Sequence, residues 1–354
     1  MRARITGLGM WLPETVRTND AWSVEFLEQA RARGDRLLVD IPAAGDDLDR
    51  VTARHLADEA RDPFLGARQR HVSADDPAWR AEAAAGAAAL EDAGVDAAAV
   101  DAVLSWSIVT DRPVLPSATR VAHELGADSA WASGMDSGCA SALVQLETAS
   151  ALIESGRARH VLLTQSHLIT RAFPMSHPAS PGIGDGATAM VVSASERPGV
   201  LGVHSVSHGE YWDAVTWIRS MDPAEDSAWW TEGGPYAPGS RNREGAKHLM
   251  QHSVRFGVQT IREVCERSSV EPSAITALAA VQPRGWIPPS IAEGLGLDPA
   301  VAPTTYDSVA HLGGCGVVAN LIACRDGGLL VPGALAVLYA QGAGFTRSAA
   351  LLRI

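Results

Sequence analysis

The chain has 354 residues and a formal net charge of −12, with 46% hydrophobic and 20% charged residues. This length suffices for two or three domain-sized units, and the apolar content excludes a disordered chain. The acidic balance excludes a nucleic-acid partner, because no basic stripe offsets it. The sequence has no long apolar run without charges, so we expect no membrane contact.

Residues 1–13 contain basic residues but no long apolar segment and no cleavage site, so we interpret them as a first strand and not as a signal peptide. Cysteines occur at 139, 265, 315 and 324, without a CxxC pair or a zinc-ligand spacing. They also form no disulfide framework. We therefore expect a cytoplasmic protein with no metal site and no bound cofactor.

Short apolar strand candidates alternate with helical stretches along the first half. The pattern predicts a helix over 80–93, a strand over 100–108, a helix from Cys139 to about 156, and strands over 159–166 and 187–193. Strands this apolar are typical of a sheet that is buried on both faces. The alternation therefore predicts an α/β fold, with helices packed on a mostly buried sheet.

The second half repeats this style. The pattern predicts helices over 253–269 and 287–296, a small-residue helix from about 311 through 324, and strands over 277–281 and 335–340. The helix near His311 mirrors the helix that opens at Cys139, since both begin with small residues. We therefore expect two similar halves, 1–200 and 201–354.

Two segments fit the alternation poorly and are interpreted as insertions. Residues 24–65 carry many charges, and residues 208–245 contain Trp212, Trp217, Trp229 and Trp230. Loops of this length are often functional caps or binding elements, and they can equally be surface excursions anchored by their aromatic side chains. Trp212 and Trp217 are candidate substrate-binding residues, because tryptophan provides an apolar lining.

Cys139 is the strongest candidate for a catalytic residue. It follows Gly138 and opens a run of small and apolar residues that predicts a helix. A thiol at a helix N-terminus lies in the positive end of the helix dipole, which favours the thiolate and hence acyl transfer through the sulfur. The alternative is a small buried hydrophobic side chain. Cys315 and Cys324 are predicted to be core residues of that kind.

Five motifs in order resemble the ketoacyl-ACP synthase III branch of the thiolase superfamily. They are ITGLGMWLP at 5–13, FLGARQRHV at 64–72, Cys139 with its helix, GDGA at 184–187 and QGAGFT at 341–346. The resemblance implies a thiolase-like five-layered αβαβα fold, usually as a homodimer, and an acyl-cysteine intermediate. It also implies an oxyanion hole formed by the main-chain N–H groups of Cys139 and Ala343.

The chain departs from that family at its histidine and asparagine. Members that decarboxylate malonyl thioesters have an HQAN-like motif, where residues 281–284 here read VQPR, so Val281 replaces the histidine. His311 stands where their asparagine would be. We therefore expect His311 to be the base for Cys139, with His208 as a weaker alternative. Asp307 either orients His311 or forms a turn.

The loss of one histidine favours an acyltransferase over a condensing enzyme. It would move an acyl group from a carrier-protein or CoA thioester to a small-molecule or carrier acceptor, in polyketide or other secondary metabolism. The alternatives are a condensing ketoacyl synthase that primes fatty acid or polyketide chains, and a non-catalytic ketosynthase-like subunit. Arg284 is a candidate substrate-binding residue, and a basic patch for the donor would draw on Arg61, Arg68, Arg70, Arg171 and Arg284.

Overall fold

The structure, a computed structural model, describes residues 1–40, 45–112, 114–197, 199–220 and 237–354, with the main chain alone at 36–40 and 237. The strands within these ranges are β1 Arg2–Trp11, β2 Val16–Thr18, β3 Gln69–His71, β4 Ala102–Ser107, β5 Trp131–Gly134, β6 His160–His167, β7 Gly186–Ser195, β8 Val200–Ser207, β9 Thr216–Ile218, β10 Ala237–Gly239, β11 Ala277–Ala280, β12 Leu335–Gly342 and β13 Thr346–Arg353. The helices are α1 Val24–Asp40, α2 Asp47–Glu59, α3 Ala78–Ala93, α4 Ala118–Leu125, α5 Ser141–Glu154, α6 Arg243–Gln251, α7 Ser253–Arg267, α8 Ile287–Gly294, α9 Tyr306–Val309 and α10 Gly316–Asp326.

The first large sheet has the strand order β1-β7-β6-β4-β5. Strands β4, β5 and β6 run parallel, and β7 is antiparallel to both of its neighbours. Helices α3 and α4 cover the outer face of this sheet. Strand β1 approaches the alanine-rich helix α3 closely. A Cβ on Gly9 would lie 2.1 Å from the Ala85 carbonyl oxygen, so only glycine fits there.

The second large sheet has the order β11-β12-β13-β8, with α7 and α8 on its outer face. Helices α5 and α10 lie between the two sheets, and their apolar side chains join both sheets in one buried cluster. The layers are therefore helix, sheet, helix, sheet, helix, and the predicted α/β thiolase-like fold with five αβαβα layers is confirmed. The division into two similar halves at residues 200 and 201 stays a prediction.

The two central helices begin later than the sequence predicted. The helix expected to open at Cys139 starts at Ser141, and the one expected near His311 starts at Gly316, after a 3-10 turn. Residues 139 and 311 consequently lie in turns that precede the central helices. Strands β8 and β13 were not predicted. Cys315 and Cys324 are buried core residues, as predicted.

The insertion at 24–65 contains α1 and α2, and α2 is fastened to the second half of the chain. Arg255 of α7 donates to Asp49 at 2.8 Å, and Trp286 donates its indole N–H to Glu59 at 3.1 Å. The insertion at 208–245 forms the short β9–β10 ladder and the start of α6. Trp229 and Trp230 lie outside the described residues. Within the described ranges, no helix is long and apolar enough to cross a membrane.

Candidate active site

Cys139 lies in the turn between β5 and α5, which we call the nucleophile turn (residues 136–140). Gly138 has a φ of +57°, a conformation that glycine adopts without strain. The Asp136 carboxylate accepts hydrogen bonds from the Gly138 N–H at 2.9 Å and from the Trp106 indole N–H at 2.8 Å. The turn is therefore fixed from β4, and the Cys139 side chain remains partly exposed.

His311 is the partner of Cys139 in space, although 172 residues separate them in the sequence. The His311 Nε2 atom lies 3.9 Å from the Cys139 sulfur. The other ring nitrogen, Nδ1, lies 3.0 Å from the Gln282 carbonyl oxygen. Because a carbonyl only accepts, Nδ1 carries the proton in the neutral ring, and Nε2 presents its lone pair to the thiol.

Burial disfavours the charged form of both members of the pair. Burial raises the pKa of the Cys139 thiol to about 12, and the negative charge of Asp136 adds to this. Burial also lowers the pKa of His311 to about 3, with His167 and Arg284 acting in the same direction. The expectation that the helix dipole favours a thiolate is therefore wrong for the resting site. The helix begins beyond Cys139, and desolvation disfavours the charged form.

His167, which the sequence reasoning missed, packs edge-on against His311 with ring centroids 5.6 Å apart. It is buried, and its Nδ1 lies 2.8 Å from the Gly184 carbonyl oxygen. Gly313 permits this contact, because a Cβ there would lie 2.3 Å from the His167 ring. The available signal was a histidine at the end of a buried strand, where site residues collect in α/β folds.

The turn at 342–344 packs directly on the nucleophile turn. A Cβ on Gly342 would lie 2.0 Å from the Ser137 carbonyl oxygen, and a Cβ on Gly138 would lie 2.6 Å from the Ala343 nitrogen. The close approach brings the main chains of Cys139 and Ala343 together, as an oxyanion hole requires. Their role as its two donors stays a prediction.

Asp307 does not orient His311. The Asp307 side chain is exposed, and its carbonyl oxygen accepts from the Arg68 N–H at 2.9 Å. The His311 Nδ1 proton goes instead to the main chain of Gln282. Asp307 lies on the short helix α9, which ends at Val309, and Ala310 is not helical, so the four-residue spacing does not place the two side chains on one helix face. His208 is not the base either, since its Nε2 lies 2.8 Å from the Arg347 guanidinium.

A cavity of about 640 Å³ lies among α1, α2, α6 and the loop at 177–179. Arg284 lines it, and the Arg284 Nε donates to Glu59 at 2.7 Å. Trp212 and Trp217 are not among the described residues that line it, and Trp212 is 66% exposed. Their predicted role as substrate-binding residues receives no support from this cavity. Trp217 instead pairs with Pro238 in the β9–β10 ladder.

One member of the predicted basic patch, Arg70, does not lie at the surface. Arg70 is completely buried, with its guanidinium bonded to the Pro181 carbonyl at 3.0 Å and to the Asn19 side chain at 2.9 Å. It therefore supports the fold and does not belong to a surface patch. The cationic side chains that line the cavity are Arg33, Arg243, Lys247 and Arg284. Among the described residues, no group of histidine, cysteine and carboxylate side chains is arranged to hold a metal ion.

Two family models match the chain, both describing 3-oxoacyl-[acyl-carrier-protein] synthase III. One covers residues 134–209 and the other, for the C-terminal part, covers 265–354. The first match includes Cys139 and the second includes His311. The chain belongs to the ketoacyl-ACP synthase III-like proteins of the thiolase superfamily.

Curated relatives extend over most of this synthase III-like chain. The β-ketoacyl-[acyl-carrier-protein] synthase III of Rhodospirillum rubrum is 29% identical, over 86% of the chain and 95% of the relative. The enzyme of the same name from Bordetella petrii is 26% identical, over 99% of the chain and 98% of the relative. The chain is therefore of the same length class as these synthases.

Solved structures share the fold. The synthase III of Pseudomonas aeruginosa superposes with a TM-score of 0.76 at 24% identity, covering 100% of this chain and 98% of that one. The priming β-ketosynthase of the R1128 polyketide pathway gives 0.76 at 22% identity, with coverage of 99% and 96%. OleA from Xanthomonas campestris gives 0.75 at 18% identity, with coverage of 100% and 99%. At these identities the comparison shows the fold alone.

Proposed function

We propose that the protein is an acyltransferase that holds the acyl group as a thioester on Cys139 and uses His311 as base and acid. The observation that carries the proposal is the close thiol–imidazole pair. The sulfur and Nε2 are 3.9 Å apart, and the opposite ring nitrogen is tied to the main chain. This arrangement is that of a nucleophile with its general base.

The reaction would proceed in two steps. The Cys139 sulfur bonds to the carbonyl carbon of the donor thioester while His311 takes the thiol proton, and the donor thiol leaves with that proton. An acceptor hydroxyl, amine or thiol then attacks the acyl-enzyme and gives its proton to His311, which returns it to Cys139. The N–H groups of Cys139 and Ala343 would stabilise the oxyanion in both steps, each by about 3 kcal/mol.

Val281 at the position of the family's histidine favours transfer over condensation. Val281, which replaces a histidine in the family pattern, is completely buried and has no group that can donate a hydrogen bond. A malonyl carboxylate leaving as carbon dioxide would need its thioester carbonyl held by two donors. With one donor missing, we expect a heteroatom acceptor to attack the acyl-enzyme.

Two other candidates remain as outcomes of the test. A condensing synthase III is favoured by the names of the relatives from Rhodospirillum rubrum and Bordetella petrii, which match over most of the chain. A non-catalytic partner subunit would have no need for a thiol and an imidazole at 3.9 Å, so we rank it lowest.

We propose that the donor enters through the cavity that Arg284 lines. Two residues that line the cavity, Arg284 and Ala179, are close in sequence to Gln282 and Gly182, which bond to His311. Gln282 accepts from the His311 ring and Gly182 accepts from its N–H at 2.9 Å. The apolar lining side chains would accommodate the donor arm, and Arg33, Arg243 and Lys247 would bind phosphate groups, since Arg284 is already paired with Glu59. Both CoA and a carrier-protein phosphopantetheine arm present such phosphates.

We propose a homodimer formed through β5. This strand lies at the edge of the first sheet, and its Trp131 is 48% exposed. Val114 and Leu115, in the loop after β4, are 96% and 60% exposed. An open edge with apolar neighbours is a surface on which a second copy can add its own strand.

Intact-protein mass spectrometry tests the proposed function. The wild type and Cys139→Ala are incubated with malonyl and short acyl thioesters, on CoA and on carrier protein, and carbon dioxide is measured. We expect an acyl adduct that the variant lacks, without carbon dioxide from malonyl. Carbon dioxide with a ketoacyl product would establish the condensing enzyme instead. No adduct with any donor would leave the non-catalytic subunit.

A further inference from the structure

Two buried amide side chains hold the loop that carries His311. Gln282 follows β11, Asn320 lies on α10, and both are completely buried. Asn320 donates to the Ala280 carbonyl at 2.8 Å and to the Gln282 side-chain oxygen at 2.9 Å. Its own oxygen accepts from the Thr305 N–H and hydroxyl, both at 3.0 Å. Every hydrogen-bonding capacity of the Asn320 amide is therefore used.

Gln282 contacts both the loop that precedes His311 and the His311 ring itself. Its side-chain oxygen accepts from the Thr304 hydroxyl at 2.8 Å, and its Nε2 donates to the Ala310 carbonyl at 3.2 Å. Its main-chain carbonyl accepts from the His311 ring at 3.0 Å. One residue thus fixes the peptide before the histidine and the orientation of the imidazole.

The peptide that Gln282 holds is strained. Ala310 has φ +57° and ψ −154°, a region that is essentially restricted to glycine and costs free energy in any L-residue. Its neighbour His311 donates its N–H to the Gly182 carbonyl at 2.9 Å. Strain of this kind persists only where surrounding contacts over-determine the backbone, and the bonds from Gln282 and Asn320 are such contacts.

We propose that Gln282 and Asn320 are positioning residues for His311, which keep Ala310 in its strained conformation and thereby aim Nε2 at the Cys139 sulfur. This inference rests on the proposed role of His311 as the base. Both amides bond to the loop, and Asn320 also bonds to the end of β11. They act by fixing the loop geometry and the tautomer, since a loop that relaxes would turn the ring away from the Gln282 carbonyl.

The alternative is that the two amides only stabilise the fold, because Asn320 also ties α10 to the end of β11. The two explanations differ in what they predict for the reaction. A purely structural pair affects the stability of the protein and leaves the chemistry of the folded enzyme unchanged. A positioning pair lowers the rate of Cys139 acylation at saturating donor, with little change in KM, and changes the His311 tautomer.

The experiment compares Gln282→Met and Asn320→Asp with the wild type. Gln145→Met is the matched control, since Gln145 is a buried amide that bonds to Gln165 at 2.6 Å and lies outside the histidine loop. Single-turnover acylation of Cys139 is followed by mass spectrometry, and the His311 tautomer by ¹⁵N NMR, with its signal identified by its loss in His311→Ala. We expect acylation to fall at least about tenfold in both variants, with KM within about twofold and loss of the Nδ1–H form. The control should react at the wild-type rate.

Ala310→Gly supplies the rescue. Glycine removes the strain, so we expect a higher Tm than the wild type, and in the Gln282→Met background a recovery of most of the lost acylation rate. A fold-stabilising role alone gives no such recovery. If the amide variants do not fold, the Tm of Ala310→Gly decides, and a Tm at or below the wild-type value overturns the proposal.

Other outcomes separate this inference from the proposed function. Folded Gln282→Met and Asn320→Asp proteins with wild-type acylation rates and an unchanged His311 tautomer would refute the positioning role. His311→Ala with a wild-type acylation rate would refute the role of His311 as base, whatever the two amides do.

Discussion

The nucleophile turn and the turn that carries His311 have similar positions in the fold. Both contain a residue with a positive φ, but different residue types adopt it. Each precedes a central helix, α5 or α10, and each contains a residue with φ +57°, Gly138 in one and Ala310 in the other. Glycine carries that conformation without cost, whereas alanine needs hydrogen bonds to hold it. The cysteine turn is therefore held by close packing on the 342–344 turn together with the Asp136 hydrogen bonds, and the histidine turn by a larger buried polar network.

The largest expected effect is on the histidine side. His311→Ala should lower the rate of Cys139 acylation by about 10²–10⁴-fold, the range for a general base. Because the pKa of His311 is about 3 and that of Cys139 about 12, the wild-type pair keeps its protons across roughly pH 5–9, so its rate should be flat there. The variant depends on free thiolate, so its rate should rise about tenfold per pH unit. Single-turnover rates across this pH range would measure both, and parallel profiles would contradict the neutral pair.

Gly138→Ala tests the cysteine side. A Cβ there would lie 2.6 Å from the Ala343 nitrogen and 3.0 Å from its carbonyl oxygen, at a positive φ. We expect the 342–344 turn to be displaced and acylation to fall by about 10²-fold, as for the loss of one oxyanion donor. Gly126→Ala is the control, since it has φ +79° and no atom within 4 Å of the added Cβ. Equal rates in the two variants would show that the close contact between residue 138 and Ala343 does not determine the acylation rate.

Glu82 is linked through serine hydroxyls to strand residues next to both turns, and it should make the free energy of unfolding depend on pH. This buried carboxyl accepts from the hydroxyls of Ser107 at 2.6 Å, Thr164 at 2.7 Å and Ser166 at 2.8 Å. Ser107 and Ser166 adjoin Trp106 and His167, which contact the two turns. Burial raises the pKa of Glu82 from 4.5 to about 7, against the opposing effect of the three hydroxyls.

Between those two pH values the folded protein keeps a proton that the unfolded chain releases, so stability falls as pH rises. The loss is at most about 3 kcal/mol for this shift. In Glu82→Gln this part of the decline should vanish. Urea unfolding at pH 5 and pH 8 measures it, with the exposed Glu154→Gln as control. The same decline in wild type and Glu82→Gln would show that Glu82 does not titrate in this range.

The sequence predicted the layers and the position of Cys139 before a central helix better than the geometry around the histidine. Apolar runs and small-residue helices are local patterns, and they placed Cys139 and His311 at the heads of the two central helices within a few residues. The proton acceptor of His311 is the main chain of Gln282, which no side-chain pattern encodes. His167 reaches His311 only because Gly313 lets the rings meet, and Glu82 appeared as one charge in an alanine-rich helix.

Asp307→Asn has the smallest expected effect and tests which of the two roles open to Asp307 from the sequence, orienting His311 or forming a turn, is correct. Its spacing from His311 suggested a triad, yet its side chain is exposed and His311 Nδ1 bonds to the Gln282 carbonyl. We expect acylation rates within about twofold of the wild type, as for an exposed substitution outside the site. A carboxylate that oriented the imidazole would cost far more when neutralised, up to about 10⁴-fold in a serine protease triad. A fall in the acylation rate beyond tenfold would mean that the histidine turn rearranges during the reaction and brings Asp307 to the His311 ring.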